Sequence, residues 1–118
     1  MKRLLLVGLA IFSVNHAAAK YMFTKEDQEC TAKAINDTEL SGCFNEVWNK
    51  IDRIITKKLA GDKRKLAQYN KEAKNSSKKC DDKYRDEDGI LPPYGMAQAS
   101  QCAYVTLEKI GKKYGVRF

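Results

Sequence analysis

The sequence predicts an all-α domain: a small antiparallel three-helix bundle with an extra short N-terminal helix, stapled by two disulfides. Three observations lead there. Apolar residues recur at spacings of three and four in three long segments, and no stretch alternates with period two for the length of a strand. Glycine, proline and aspartate punctuate those segments where helix ends are expected. Four cysteines accompany an N-terminus that reads as an export signal, and an even cysteine count in an oxidising compartment implies a disulfide framework.

The signal is carried by a basic Met1-Lys2-Arg3, an apolar run from Leu4 to Val14, and the small residues Ala17-Ala18-Ala19 before Lys20. Residues 1–19 are therefore read as a signal peptide and residues 20–118 as one exported domain, secreted to a bacterial periplasm. The apolar run is about half of the roughly 20 residues that a spanning helix needs, so no transmembrane segment is expected. Cleavage would remove His16, the one histidine of the chain. Histidine-dependent triads, Cys–His nucleophile pairs and His-ligated metal sites are thereby excluded from the mature protein. Cleavage would also take Lys2 and Arg3, leaving 20 basic against 15 acidic residues and a net charge of +5.

Along the mature chain, Thr24 to Asp27 has the pattern of a capping box and opens a short helix carrying Cys30. The first long helix is the clearest. Leu40, Cys43, Phe44, Val47, Trp48, Ile51, Ile54, Ile55 and Leu59 share a stripe, with Asn36, Asp37 or Thr38 as N-cap and Gly61 as C-terminal cap. The second starts at Asp62 and aligns Leu66, Tyr69, Ala73, Ser76 or Ser77, Cys80 and Tyr84. The tight turn between them predicts an antiparallel hairpin. The third follows Gly95, aligns Met96, Ala99, Ala103, Leu107, Ile110 and Tyr114, and ends near Gly111 or Gly115.

Between the second and third helices, Asp81 to Tyr94 reads as a loop, because the pair Pro92-Pro93 disfavours helix. It holds Asp81, Asp82, Asp86, Glu87 and Asp88, followed by Gly89, Ile90, Leu91 and Tyr94. Four cysteines allow three connectivities. Local pairing, Cys30 with Cys43 and Cys80 with Cys102, is favoured because it braces both ends of the acidic loop. Its rival is Cys43 with Cys80 and Cys30 with Cys102, since Cys43 and Cys80 lie almost equally far from the Gly61 turn.

The residue inventory points away from catalysis and from bound cofactors. Carboxylates are plentiful, yet nothing in the pattern sets two of them across a cleft as glycoside hydrolysis requires. The loop misses the EF-hand pattern, with Tyr84 where the first aspartate should stand, and no C-x-x-C pair nucleates a zinc site. What remains is binding. Arg64, Lys71, Lys74 and Lys78 share one face of the second helix, fit for an anionic envelope polymer or lipid surface. The loop offers acidic residues, apolar Ile90 and Leu91, a rigid Pro-Pro and Tyr94 as a contact for a protein partner. Nucleic acid is not expected for an exported chain without interleaved exposed aromatics.

The run from Cys30 through Thr38-Glu39 to Cys43, followed by Glu46 and Asp52, resembles the opening of the LprI-like lysozyme inhibitor family of bacterial envelope proteins. Cys80 at the end of a second helix, Asp88-Gly89 in the loop and Cys102 in a last helix ending near Lys112 extend the resemblance over roughly residues 28–113. One departure stands out. Relatives commonly carry a tryptophan before the third cysteine, whereas this chain has Asn75 to Lys79 there and its single tryptophan, Trp48, on the first long helix.

The resemblance implies a secreted inhibitor of lysozyme or a related cell-wall hydrolase, a binding protein and not an enzyme. The loop is its expected contact: Asp81, Asp82, Asp86, Glu87, Asp88, Ile90, Leu91 and Tyr94. An immunity protein against a wall-cleaving toxin is a variant of that expectation. An envelope module using the basic face is the alternative.

Overall fold

Thr24 opens α1 (Lys25–Lys33) in the computed structural model, which describes residues 23–118. The signal peptide read over residues 1–19 lies outside the described residues. The capping box is formed: the Thr24 side chain accepts from the Asp27 N–H, while the Asp27 carboxylate accepts from the Thr24 N–H at 2.8 Å. Asn36 caps α2 (Asp37–Leu59) by accepting from the Glu39 N–H at 2.9 Å. Asp62 caps α3 (Lys63–Lys83) by accepting from the Lys65 N–H at 3.1 Å. Each short polar side chain thus satisfies one of the orphan donors of a first turn. With α4 (Pro93–Lys113) the described residues are all-α, and no helix among them is long and apolar enough to cross a membrane.

Two boundaries differ from expectation. α4 begins at Pro93, two residues before Gly95, with Pro92 as its N-cap. Proline disfavours helix interiors, but at the first helical position its missing N–H is one the helix would leave unpaired anyway. At the other end of the expected loop, α3 continues to Lys83, so Asp81 and Asp82 are helical and only residues 84–92 form the connection. The Gly61 cap is also absent. α2 ends through Ala60 in right-handed helical conformation, and positive φ occurs among the described glycines only at Gly89 and Gly115.

Gly115, at φ 83°, caps α4 in a left-handed conformation that glycine adopts without penalty. The Gly115 N–H donates to the Lys112 carbonyl and the Val116 N–H to the Gly111 carbonyl, each at 3.0 Å. This double bond pattern turns the chain back so that Val116 is buried in the core.

The three long helices run up, down and up. Tyr69 of α3 donates to Asp52 of α2 at 2.6 Å, level across the turn at Ala60 to Asp62. α4 runs parallel to α2, with Ser100 against Ser41 near their starts and Gly111 against Ile55 near their ends. It runs antiparallel to α3, with Lys113 and Tyr114 at its end both bonded to Glu72. α4 is the central element: it packs along both α2 and α3, which approach each other least closely of the three pairs.

The core is the stripe Phe44, Val47, Ile51, Ile55 and Leu59 of α2, closed by Tyr69 and Ala73 of α3, Tyr104 and Leu107 of α4, and Val116. Burial pushes the Tyr104 hydroxyl far above its usual range, and burial together with the Asp52 bond does the same for Tyr69.

α1 lies across α2, held by the Cys30–Cys43 disulfide and by the Lys50 ammonium 2.6 Å from the Asp27 carboxylate. Cys80 is bonded to Cys102, so the local connectivity is the one formed and all four cysteines are used.

Candidate functional site

The connection between α3 and α4 is built around one carboxylate. Asp86 Oδ1 accepts from the backbone N–H groups of Asp88 and Ile90, each at 2.9 Å, an aspartate turn that replaces the missing helix bonds. The backbone closes the same turn: the Asp86 N–H donates to the Ile90 carbonyl at 2.8 Å and the Gly89 N–H to the Asp86 carbonyl at 3.0 Å. Gly89, at φ 79°, supplies the left-handed residue that the turn requires.

Arg85 then ties the turn to α3. Its guanidinium donates to the Gly89 carbonyl at 3.0 Å and to the Asp82 carboxylate at 3.1 Å. Hydrogen bonds from Lys78 and Arg85 hold the Asp82 carboxyl below the usual carboxylate range. The Cys80–Cys102 bond clamps the base of the loop to α4.

The eight expected contact residues therefore fall into groups. Asp82 and Asp86 are consumed in the scaffold. Glu87 and Asp88 are exposed at the tip, with no ion pair among the described residues. Ile90 and Tyr94 expose 60% and 62% of their surface. Asp81 and Leu91 point away from that group: both line a cleft on the bundle.

The cleft, of about 360 Å³, lies where α2 and α3 diverge over α4. Ser41, Asn45 and Trp48 of α2 form one wall, Ser77 and Asp81 of α3 the other. Met96 and the small residues Ala99, Ser100 and Ala103 of α4 lie beneath, and Leu91 closes the loop end. The Ser41 and Ser100 hydroxyls bond each other at 2.7 Å. The Trp48 indole N–H is buried without an acceptor. The Asp81 carboxylate makes no hydrogen bond or ion pair among the described residues.

Most of the lining residues are legible in the sequence, but their meeting in one cleft is not. Trp48, Ser77, Met96, Ala99 and Ala103 are legible as helix-stripe residues and Asp81 and Leu91 as loop residues, but a stripe does not say where a neighbouring helix leaves a gap. The one usable signal is the run of small residues at positions 97, 99, 100 and 103, which keeps one side of α4 shallow.

Arg64, Lys71, Lys74 and Lys78 are all exposed on α3, within one face of an ideal helix. Lys78 is paired with Asp82 at 3.0 Å, whereas Arg64, Lys71 and Lys74 have no ion-pair partner among the described residues. No group of three or more His, Cys, Asp or Glu side chains among the described residues is placed to hold a metal ion. Comparison with protein-family models, with curated proteins and with solved structures gave no match.

Proposed function

We propose that the protein is an exported, periplasmic binding protein that inhibits lysozyme or a related wall-degrading hydrolase, in the manner of the LprI-like inhibitors its cysteine frame resembles. The observation that carries the reading is the braced loop. A turn held by Asp86, by Arg85 and by the Cys80–Cys102 bond presents Glu87, Asp88 and Ile90 to solvent, and Tyr94 is exposed in the first turn of α4. Ordering is done before a partner arrives, so little conformational entropy is lost when the loop enters a cleft.

The chemistry suits a basic hydrolase: exposed carboxylates at the tip, an aliphatic and an aromatic side chain beside them. The net charge of +5 works against long-range steering, so affinity on this reading comes from short-range fit. The protein acts as a binder and not as a catalyst, and an immunity protein against a wall-cleaving toxin would use the same loop. Residual activity of several muramidases at a large molar excess of pure protein tests the proposal. Full activity in every case sinks it.

A second reading rests on a different observation, the three cations Arg64, Lys71 and Lys74 without partners on one exposed face of α3. An envelope module using them would co-sediment with anionic wall or lipid fragments in a salt-sensitive way, and neutralising Lys71, Lys74 and Lys78 together would abolish it.

A further inference from the structure

We infer that the cleft between α2 and α3 is a binding site for the basic side chain, lysine or arginine, of a peptide or protein partner. The inference stands on the cleft and not on the loop, and holds whatever the partner of the loop is.

Three features of the cleft converge on that ligand. Asp81 is the single charged residue in its lining, and nothing in the described fold neutralises it. A carboxylate with no cation of its own, at the wall of a concave site, selects a cation. The rest of the lining is mainly apolar: Leu91, Met96, Ala99 and Ala103, with the Trp48 ring on the opposite wall. That surface suits the methylene stem of a long basic side chain. The volume, about 360 Å³, sits at the lower end of the roughly 300–1,000 Å³ usual for ligand sites, a space suited to one side chain.

The third feature separates a residue of a chain from a free amine. The Trp48 indole N–H is buried without an acceptor. A buried unmet donor is costly, and a ligand that brings an acceptor close to its cationic arm would satisfy it. The main-chain carbonyl of a lysine or arginine residue is such an acceptor; a simple alkylamine has none. Ser41 and Ser100 already bond each other and are not needed for the ligand.

Trp48 is the only tryptophan of the chain, so its indole N–H gives one assignable resonance. The ¹⁵N-labelled, disulfide-bonded protein is titrated with Nα-acetyl-lysine N-methylamide, with the norleucine analogue that lacks the ammonium, and with n-butylamine that lacks the carbonyls. The expected result is a saturable shift of the Trp48 resonance with the lysine derivative. Affinity should be at least tenfold weaker for each of the other two probes, and at least tenfold weaker for the lysine derivative on Asp81→Asn. Since the Asp81 carboxylate bonds nothing in the described fold, and the backbone bond from the Tyr84 N–H to the Asp81 carbonyl is untouched by the substitution, that variant should keep the wild-type spectrum elsewhere. No saturable shift overturns the inference, as does equal binding by Asp81→Asn or by norleucine. Equal binding by n-butylamine also overturns it, because the cleft would then be a free-amine site.

Discussion

Gly95 of α4 sits so close to Tyr84 that a Cβ built on it would lie 2.8 Å from the Tyr84 carbonyl oxygen. That approach brings the end of α3 against the start of α4 and sets the span of the loop between them. Because the obstacle is backbone, it cannot swing aside. Gly95→Ala should lose about 1–2 kcal/mol, an overpacking cost of about 1–3 kcal/mol partly offset by the higher helix propensity of alanine. Gly42, exposed in α2 with nothing within 4 Å of its Cβ position, is the control. Gly42→Ala should gain up to about 1 kcal/mol. Urea unfolding of the two variants beside wild type checks both signs.

Cys80 and Cys102 enclose the loop with a sequence separation of 22. Removing that bond in a Cys80→Ala/Cys102→Ala variant should cost about 3 kcal/mol from the released loop entropy. Amide hydrogen exchange should then accelerate at Asp88 and Ile90, whose N–H groups are held by Asp86. Unchanged exchange there would mean that the aspartate turn holds the loop without the disulfide.

Asp27 serves two elements at once. It completes the capping box of α1 and pairs with Lys50 of α2, with only 10% of its side chain exposed. Asp27→Ala removes a cap and leaves Lys50 without that partner, so a loss of about 2 kcal/mol is expected in thermal or urea unfolding. For a domain of this size each kcal/mol corresponds to roughly 4–8 °C in Tm.

Glu108 is the buried carboxyl of α4, with no side-chain exposure and the Lys112 ammonium 3.3 Å away. Burial raises its pKa above the ordinary 4.5, outweighing the opposing pull of Lys112. The folded state therefore holds this proton more tightly than the unfolded chain does. Its contribution to stability is fully present below the ordinary carboxyl pKa and is lost as pH rises through the raised value. Glu72 has the opposite sign, since hydrogen bonds from Tyr114 and Lys113 lower its pKa. The difference between wild type and Glu108→Gln isolates the first effect. The variant should gain relative stability steadily from about pH 4.5 upward, read from urea midpoints at a series of pH values.

The helices themselves were largely legible in the sequence, because caps and apolar period are local. Thr24 with Asp27, Asn36, Asp62 and Gly115 all act as ends, and Phe44, Val47, Ile51, Ile55 and Leu59 form the buried stripe. What local pattern does not contain was read less well. Pro92-Pro93 breaks a helix interior but starts α4, a distinction that depends on position within the turn. Asp81 and Leu91 look like members of an acidic loop, yet the end of α3 turns them towards a cleft shared with Trp48, far away in the chain. The centrality of α4 is likewise tertiary, since its own sequence is less regularly apolar than that of α2.

The most direct measurement is the affinity of a basic muramidase, by isothermal titration calorimetry, for three forms of the disulfide-bonded protein: wild type, a loop-tip variant with Glu87→Ala, Ile90→Ala and Tyr94→Ala, and a face variant with Lys71→Ala and Lys74→Ala. All five residues are exposed or solvent-facing, so the fold should persist in both variants. If the braced loop is the contact, the loop-tip variant binds at least a hundredfold more weakly, about 2.7 kcal/mol, while the face variant stays within threefold of wild type. Undiminished binding by the loop-tip variant, or no heat of binding from wild type at all, would contradict the loop as the working part of the molecule.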